Sequence, residues 1–321
     1  MSGSTSRWAG THSRSVTVSS FTRRLRSGGF PWRAPDWPTS IERPLPEREV
    51  GVDYDTDWAR RYPVRLARAV VIDNVTRPLA HLVATPRVQG EELFSLVEPP
   101  VILVANHTSH VDTPLLISLL PARIRHATIV AGAADYFFDR RWKAHMWAFL
   151  TAAIPIERQR VNRKSADLAA DLIDDGWSLL IYPEGGRSPD GWMQEFRGGA
   201  AYLAVRTGRP VVPVHLEGTG RVLPRHRGKL QRAQTTVTFG MPIHPEPGEH
   251  ARALGRRIEQ AVHLLASEQA TDWWTARRLA AQGEPTAAKG PDASAWRRAW
   301  ALGPDPESHS DGDWAIERPD K

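Results

Sequence analysis

VILVANHTSHVDTPLLISLL, residues 101–120, changes character twice. VILVA is a continuous apolar, β-branched run, the pattern of a strand buried on both faces. PLLISLL is apolar again and reads as a helix, with Pro114 suited to its first turn. Between them NHTSHVD, residues 106–112, packs two histidines, two hydroxyls and an aspartate into one turn. A buried strand, a polar turn and a helix predict an α/β sheet with chemistry at the carboxyl ends of its strands.

Three chemistries compete for that turn. Ser109-x-x-Asp112 matches a capping box, which accounts for Ser109 and Asp112 and leaves His107 unexplained. A metal site would use His107, His110 and Asp112, in a spacing that matches no common ligand pattern. A general base needs an imidazole with one ring nitrogen fixed by a carboxylate and the other left to take a proton, and His107 with Asp112 supplies both. His110 is the rival base, but it stands two residues from Asp112 and faces elsewhere on a helix. The chain has no cysteine and no G-x-S-x-G elbow. A base without an enzyme nucleophile points to attack by a hydroxyl of the substrate itself.

Working outward, strands and helices alternate. ATIVAG (127–132), IPIER (154–158), WSLLIYP (177–183), PVVPVHLEG (210–218) and QTTVTFG (234–240) read as strands. RRWKAHMWAFLTA (140–152), residues 164–175, GGAAYLAVRTG (198–208) and residues 247–268 read as helices. NHTSHVD, PEGGRS and HLEG all follow strands. Upstream, residues 57–84 have helical periodicity, with Trp58, Tyr62, Leu66, Ala69, Val70 and Val75 interleaved with Arg60, Arg61, Arg65 and Arg68. That pattern fits a core-packed helix with an arginine-lined outer face, or a basic helix lying on a membrane. Residues 1–48, rich in Ser, Arg, Pro and Gly, read as a disordered basic arm able to touch anionic lipid. Residues 49–281 are the expected catalytic domain, and 282–321 a linker-like tail that holds Trp296, Trp300 and Trp314.

Of 321 residues, 41% are hydrophobic and 24% charged, enough for one sizeable core. A net charge of +6 favours an anionic partner, phosphate or membrane. No RNP motif, zinc finger or recognition helix is visible, which argues against nucleic acid. MWAFLTAAIPI (146–156) is the longest nearly uncharged apolar segment, short of the roughly 20 residues a membrane span needs. MSGSTSRWAG at the N-terminus lacks the apolar stretch of a secretory signal. Peripheral attachment to the cytoplasmic face of the cell membrane is therefore expected, with Trp147 and Phe149 as candidate contacts.

NHTSHVD, IPIER with its Arg158, YPEGGRS (182–188) and VVPVHLEG (211–218), in that order, resemble the four motifs of the glycerolipid acyltransferase family, the 1-acylglycerol-3-phosphate acyltransferases and their relatives. The resemblance spans about residues 60–270. It implies a mixed, largely parallel sheet flanked by helices. It implies transfer of a fatty acyl group from acyl-CoA or acyl-carrier protein to a hydroxyl of a glycerophospholipid precursor such as 1-acylglycerol 3-phosphate, with no cofactor and no metal. His107 would be the base and Asp112 its orienting partner, while Arg158, Glu184, Gly185 and Arg187 would form the site for the acceptor's phosphate. A planar guanidinium such as that of Arg187 suits phosphate, whereas Glu184 is expected to hold an arginine or a backbone amide. Pro213 is expected to be structural, at a strand edge. Gly186 where Thr is common, Glu157 where Asp is usual and Pro155 in place of a bulky apolar residue leave acceptors without phosphate open. The competing classes are a serine thioesterase or lipase built on Ser109 or Ser188, and a non-catalytic lipid-binding protein.

Overall fold

The computed structural model describes residues 51–157, 163–188, 190–224 and 229–283. The expectations placed on residues 1–48, on Arg158 and on Trp296, Trp300 and Trp314 fall outside them. Within the described residues the strands are β1 (Pro86–Gln89), β2 (Ile102–Ala105), β3 (Thr128–Ala133), β4 (Ile154–Ile156), β5 (Ser178–Ile181), β6 (Val211–Glu217) and β7 (Thr235–Phe239). They form one sheet in the order β1-β7-β6-β2-β5-β3-β4. Every neighbouring pair is parallel except β6 and β7, so the sheet is mixed and largely parallel, as expected.

The α-helices of eight or more residues are α1 (Tyr62–Val71), α2 (Arg77–Ala84), α3 (Asp112–Leu119), α4 (Arg141–Thr151), α5 (Arg163–Asp174), α6 (Gly199–Thr207), α7 (Ala251–Ala270) and α8 (Trp273–Ala281). They cover both faces of the sheet, which is why β2 reads as a continuous apolar run. Its side chains alternate between two cores. Leu103 and Ala105 join Leu115, Leu116 and Leu119 of α3, with Phe94 and Phe239. Ile102 and Val104 join Ala169, Ala170 and Ile173 of α5, and Leu254 and Ile258 of α7. All four residues of β2 are buried. Truncating Ile102 or Leu103 to alanine costs about 2–5 kcal/mol at such sites.

Three expectations change. The segment 57–84 is not one α-helix. A short 3-10 turn, Asp57–Arg60, leads into α1, and a π-helical turn, Ile72–Thr76, separates α1 from α2. Pro78 offers no N–H to the carbonyl of Asn74, a local cause for the break in the α pattern. Nor is its outer face arginine-lined over an apolar inner one. Arg68 points inward and donates to the Ala59 carbonyl at 2.8 Å, and burial, with Arg65 and Arg60 nearby, pulls its pKa down to about 10. Second, Pro213 is not at a sheet edge, because β6 lies between β2 and β7. Its carbonyl accepts from Gly240 at 2.8 Å, just past the last rung with β7, where the missing N–H costs least. A Cβ on Gly240 would stand 2.9 Å from the Pro213 ring, so glycine is what lets the two segments close up. Third, Trp147 and Phe149 are only partly open to the surface. Trp147 stands edge-on to Phe137 at 4.7 Å. β1 and α8 were not foreseen; α8 is capped by Asp272, whose carboxylate accepts from the amides of Trp274 and Thr275 at 2.9 and 3.0 Å.

Candidate active site

β6, β2 and β5 are neighbours with parallel directions, so the turns that follow them meet at one end of the sheet. Asn106 leaves β2 and locks it to β6. Its side-chain amide donates to the Leu216 carbonyl at 2.9 Å and accepts from the Leu216 N–H at 2.7 Å, imitating a rung of the sheet.

His107 comes next, and its main chain is held by the turn after β5. Its N–H donates to Glu184 Oε1 at 2.8 Å, and its carbonyl accepts from the Ser188 N–H at 2.7 Å. Its Nδ1 lies 2.8 Å from Asp112 Oδ2. An ionised carboxylate only accepts, so Nδ1 carries the proton and Nε2 is the basic atom. Asp112 is fully buried, and the same Oδ2 accepts from the amides of Thr108 and Ser109 at 2.7 and 2.8 Å. The bond from Ser109 is half of a capping box, and α3 starts at Asp112 itself. The other half is missing, since Ser109 Oγ accepts from Val111 and donates to the Leu223 carbonyl. The cap and the catalytic geometry thus share one oxygen. Tyr182 stacks on the His107 ring, with centroids 4.2 Å apart and planes 19° from parallel.

Glu184 is buried behind His107. Its two oxygens accept from the amides of His107 and Gln194, at 2.8 and 3.1 Å. Burial pushes its pKa up to about 8, against the pull of those two bonds. Of the two roles expected for it, this is the amide-holding one. Gly185 has φ 73°, and a Cβ there would stand 2.9 Å from Arg197 Cζ. The bare backbone therefore lets the Arg197 guanidinium lie against the turn. Arg187 is half-buried in the same turn, and its charge is felt at His110.

His110 does not join the pair. It stacks on Tyr136 at 5.5 Å, with Nε2 3.1 Å from the Tyr136 hydroxyl. Burial first, then the charges of Arg187 and His107, lower its pKa to about 4. Neither candidate serine turns its hydroxyl to the His107 ring. Ser109 Oγ is engaged as described, and Ser188 Oγ donates to the Trp192 carbonyl at 2.7 Å and lies 3.1 Å from Asp190 Oδ1. Tyr182 and Arg197 were not singled out in the sequence. An aromatic directly before PEGG and a basic residue directly before the α6 glycines are the signals that mark them.

Residues 85–217 match the family model described as Acyltransferase. A chloroplastic 1-acyl-sn-glycerol-3-phosphate acyltransferase of Brassica napus is 30% identical over 166 residues, 49% of this chain and 44% of that one. A 1-acyl-sn-glycerol-3-phosphate acyltransferase of Chlamydomonas reinhardtii is 30% identical over 54% of this chain and 50% of its own. The human 1-acyl-sn-glycerol-3-phosphate acyltransferase alpha is 24% identical over 54% of this chain and 61% of its own. The matched stretch thus spans about half the length of these relatives. The crystal structure of the 1-acyl-sn-glycerophosphate acyltransferase of Thermotoga maritima superposes with a TM-score of 0.49 at 22% identity, over 65% of this chain and 81% of that one.

Proposed function

We propose, taking the acyltransferase-family domain at residues 85–217 as the premise, that this chain moves a fatty acyl group from a thioester donor to a hydroxyl of a glycerophospholipid precursor such as 1-acylglycerol 3-phosphate. The observation that carries the mechanism is the fixed pair of His107 and Asp112, 2.8 Å apart and buried against Tyr182. Among the described residues no hydrogen bond engages His107 Nε2.

Nε2 takes the proton of the acceptor hydroxyl as its oxygen forms a bond to the thioester carbonyl carbon. The tetrahedral adduct collapses, the carbon–sulfur bond breaks, and the departing thiolate takes the proton back from the imidazolium. Asp112 holds the ring and stabilises its cationic form in between. No acyl-enzyme forms, a reading supported by the absence of cysteine and by hydroxyls of Ser109 and Ser188 that are turned to other partners. His110, with its pKa near 4 and its ring on Tyr136, is the weaker base at neutral pH. Arg187, with Arg158 as the resemblance implies, would take the acceptor's phosphate; Gly185 gives that turn its shape, and Glu184 holds it to β2.

The donor is acyl-CoA or acyl-carrier protein, used as a co-substrate, and no further cofactor enters the steps. Among the described residues no helix is long and apolar enough to cross a membrane. The net charge of +6 supports attachment at the surface of an anionic membrane, on the cytoplasmic face, as part of the same proposal.

One incubation tests the reading. The purified full chain is mixed with long-chain acyl-CoA and a panel of lysophosphatidate, glycerol 3-phosphate and phosphate-free monoacylglycerol, and the products are read by mass spectrometry. Acylated lysophosphatidate is the expected product. Free fatty acid with no acylated acceptor would make the protein a hydrolase, and product from monoacylglycerol alone would remove the phosphate from the acceptor site.

A further inference from the structure

The chain between β3 and α4 leaves the sheet beside the base. β3 is parallel to β5, so that chain emerges at the same end as the turns that carry His107 and Glu184. It opens with a short helix, Ala134–Phe137, in which Tyr136 meets the NHTSHVD turn. The rings of Tyr136 and His110 stack at 5.5 Å, and His110 Nε2 lies 3.1 Å from the Tyr136 hydroxyl. Lys143 of α4 stands over the same ring, 5.7 Å from its centroid, and the ring is still 45% exposed. The start of α4 continues this surface. Trp142 is 60% exposed, and Met146, one turn further on, is exposed too. Neighbouring positions on an α-helix are about 100° apart, so Arg141 and Lys143 flank Trp142 on either side. Arg140, just before the helix, is exposed, as is Arg141.

Neither packing nor helix stability accounts for these residues. α4 buries Ala144, Ala148 and Thr151 on its other side and leaves the indole of Trp142 in solvent. Its amino end holds two arginines and no acid in the first turn, and cations placed there oppose the helix dipole. Residues that break a local rule without a structural return mark a functional surface. The chemistry on offer is that of a nucleotide site, a flat ring on which a base can stack and guanidinium groups that suit phosphate. Asp135 and Asp139 are the acids of the same stretch, and Asp139 pairs with Lys143 at 2.9 Å. An acidic carrier protein would have to cover both of them, because a stable interface takes about 800 Å² of each partner. A nucleotide is small enough to lie along Arg140, Arg141 and Trp142.

We propose that this surface binds the nucleotide end of acyl-CoA, with Trp142 stacked on the adenine, Arg140 and Arg141 at the phosphates, and the pantetheine arm passing Tyr136 toward His107. The inference rests on the acyltransferase reading and deepens it, by choosing CoA over a carrier protein as the group that brings the acyl chain.

Calorimetric titration of the full chain with free CoA reads the site without any reaction, and the absence of cysteine keeps the CoA thiol from forming a disulfide with the protein. CoA should bind, and 3′-dephospho-CoA should bind about ten-fold more weakly. Trp142→Ala and the double variant Arg140→Ala/Arg141→Ala should each weaken CoA binding about ten-fold, whereas Trp142→Phe, which keeps an aromatic face, should stay within about three-fold of the parent. Melting temperatures should not move, because these side chains are exposed. In acylation assays the two alanine variants should raise KM for acyl-CoA about ten-fold. CoA that does not bind, or that binds the alanine variants as it binds the parent, would overturn the proposal. Equal affinity for 3′-dephospho-CoA would overturn the part given to the 3′-phosphate. Variants that lose binding to holo acyl-carrier protein, or to phosphatidylglycerol vesicles, while CoA binding is unaffected would assign the surface to that partner and overturn the CoA site. CoA bound through these residues in a protein that acylates no acceptor would sink the transferase reading and leave the nucleotide site standing.

Discussion

His107 is held at its amide, its carbonyl, its Nδ1 and its ring face, by Glu184, Ser188, Asp112 and Tyr182. Only the Asp112 contact was legible in the sequence, because five residues of one turn fix it. The other three depend on the register that sets Val104 beside Ile181, and no local pattern encodes a pairing across 77 residues. Three outcomes follow at this scale. His107→Ala should lower acyl transfer by about 10²- to 10⁴-fold, whereas His110→Ala should stay within about ten-fold of the parent, in initial-rate assays. A loss confined to the His110 variant would reverse the assignment. Tyr182→Leu removes the ring that stacks at 4.2 Å and should reduce kcat about ten-fold with KM unchanged, while Tyr182→Phe keeps the stack and the parent kcat. Glu184 bears on stability. Its carboxyl ionises at its ordinary value of 4.5 when the chain is unfolded, but not until about pH 8 when folded. Unfolding releases a proton between those values, so its contribution is present below pH 4.5 and is lost as pH rises toward 8. Thermal melts of Glu184→Gln should lack that slope. The variant should be the less stable protein at low pH, because the amide NH2 cannot accept from either buried N–H.

Elements that bury both faces were readable, and elements that do not were missed. β2, β5 and the first six residues of β6 are buried along their length, and their apolar runs announce them. β1, PRVQ, alternates half-buried and exposed positions and begins with proline, so nothing in its four residues outweighs a loop reading. Residues 57–84 were readable as helical but not in orientation. The inserted π residue breaks the 3.6-residue period, and the apolar positions that mark the face of a core helix here mark the outside. The motif turns fell at the carboxyl ends of β2, β5 and β6 as the sequence suggested, but what joins two of them is a side chain rather than a rung. Asn106→Ala deletes both bonds to Leu216 and leaves that residue's N–H and carbonyl unpaired, a cost of about 1–3 kcal/mol. A fall of several degrees in melting temperature, with activity reduced because β2 and β6 separate, is the expected result. An unchanged melting temperature would mean that solvent replaces the amide.

Over the whole molecule, a charge of +6 sets how the protein approaches anionic surfaces. Raising the ionic strength from about 0.1 M to about 1 M shortens the screening length from about 10 Å to about 3 Å. Vesicle binding should weaken markedly over that range; flotation assays across the series would show it. Complete release at about 1 M salt would leave electrostatics as the sole attraction. The strand order has a consequence of another kind, in time. β2 lies at the centre of the sheet, yet both its partners come later in the chain, Leu103 aligning with Leu180 and with Val212. During synthesis the strand that carries the base emerges from the ribosome without a neighbour on either side. Asn106 must wait for a residue 110 positions downstream. At about ten residues per second that is about ten seconds, during which the base exists without its clamp and an apolar strand without its sheet. Competence therefore arrives with β6 rather than with the histidine, and nascent chains still short of it are the form that most needs a chaperone.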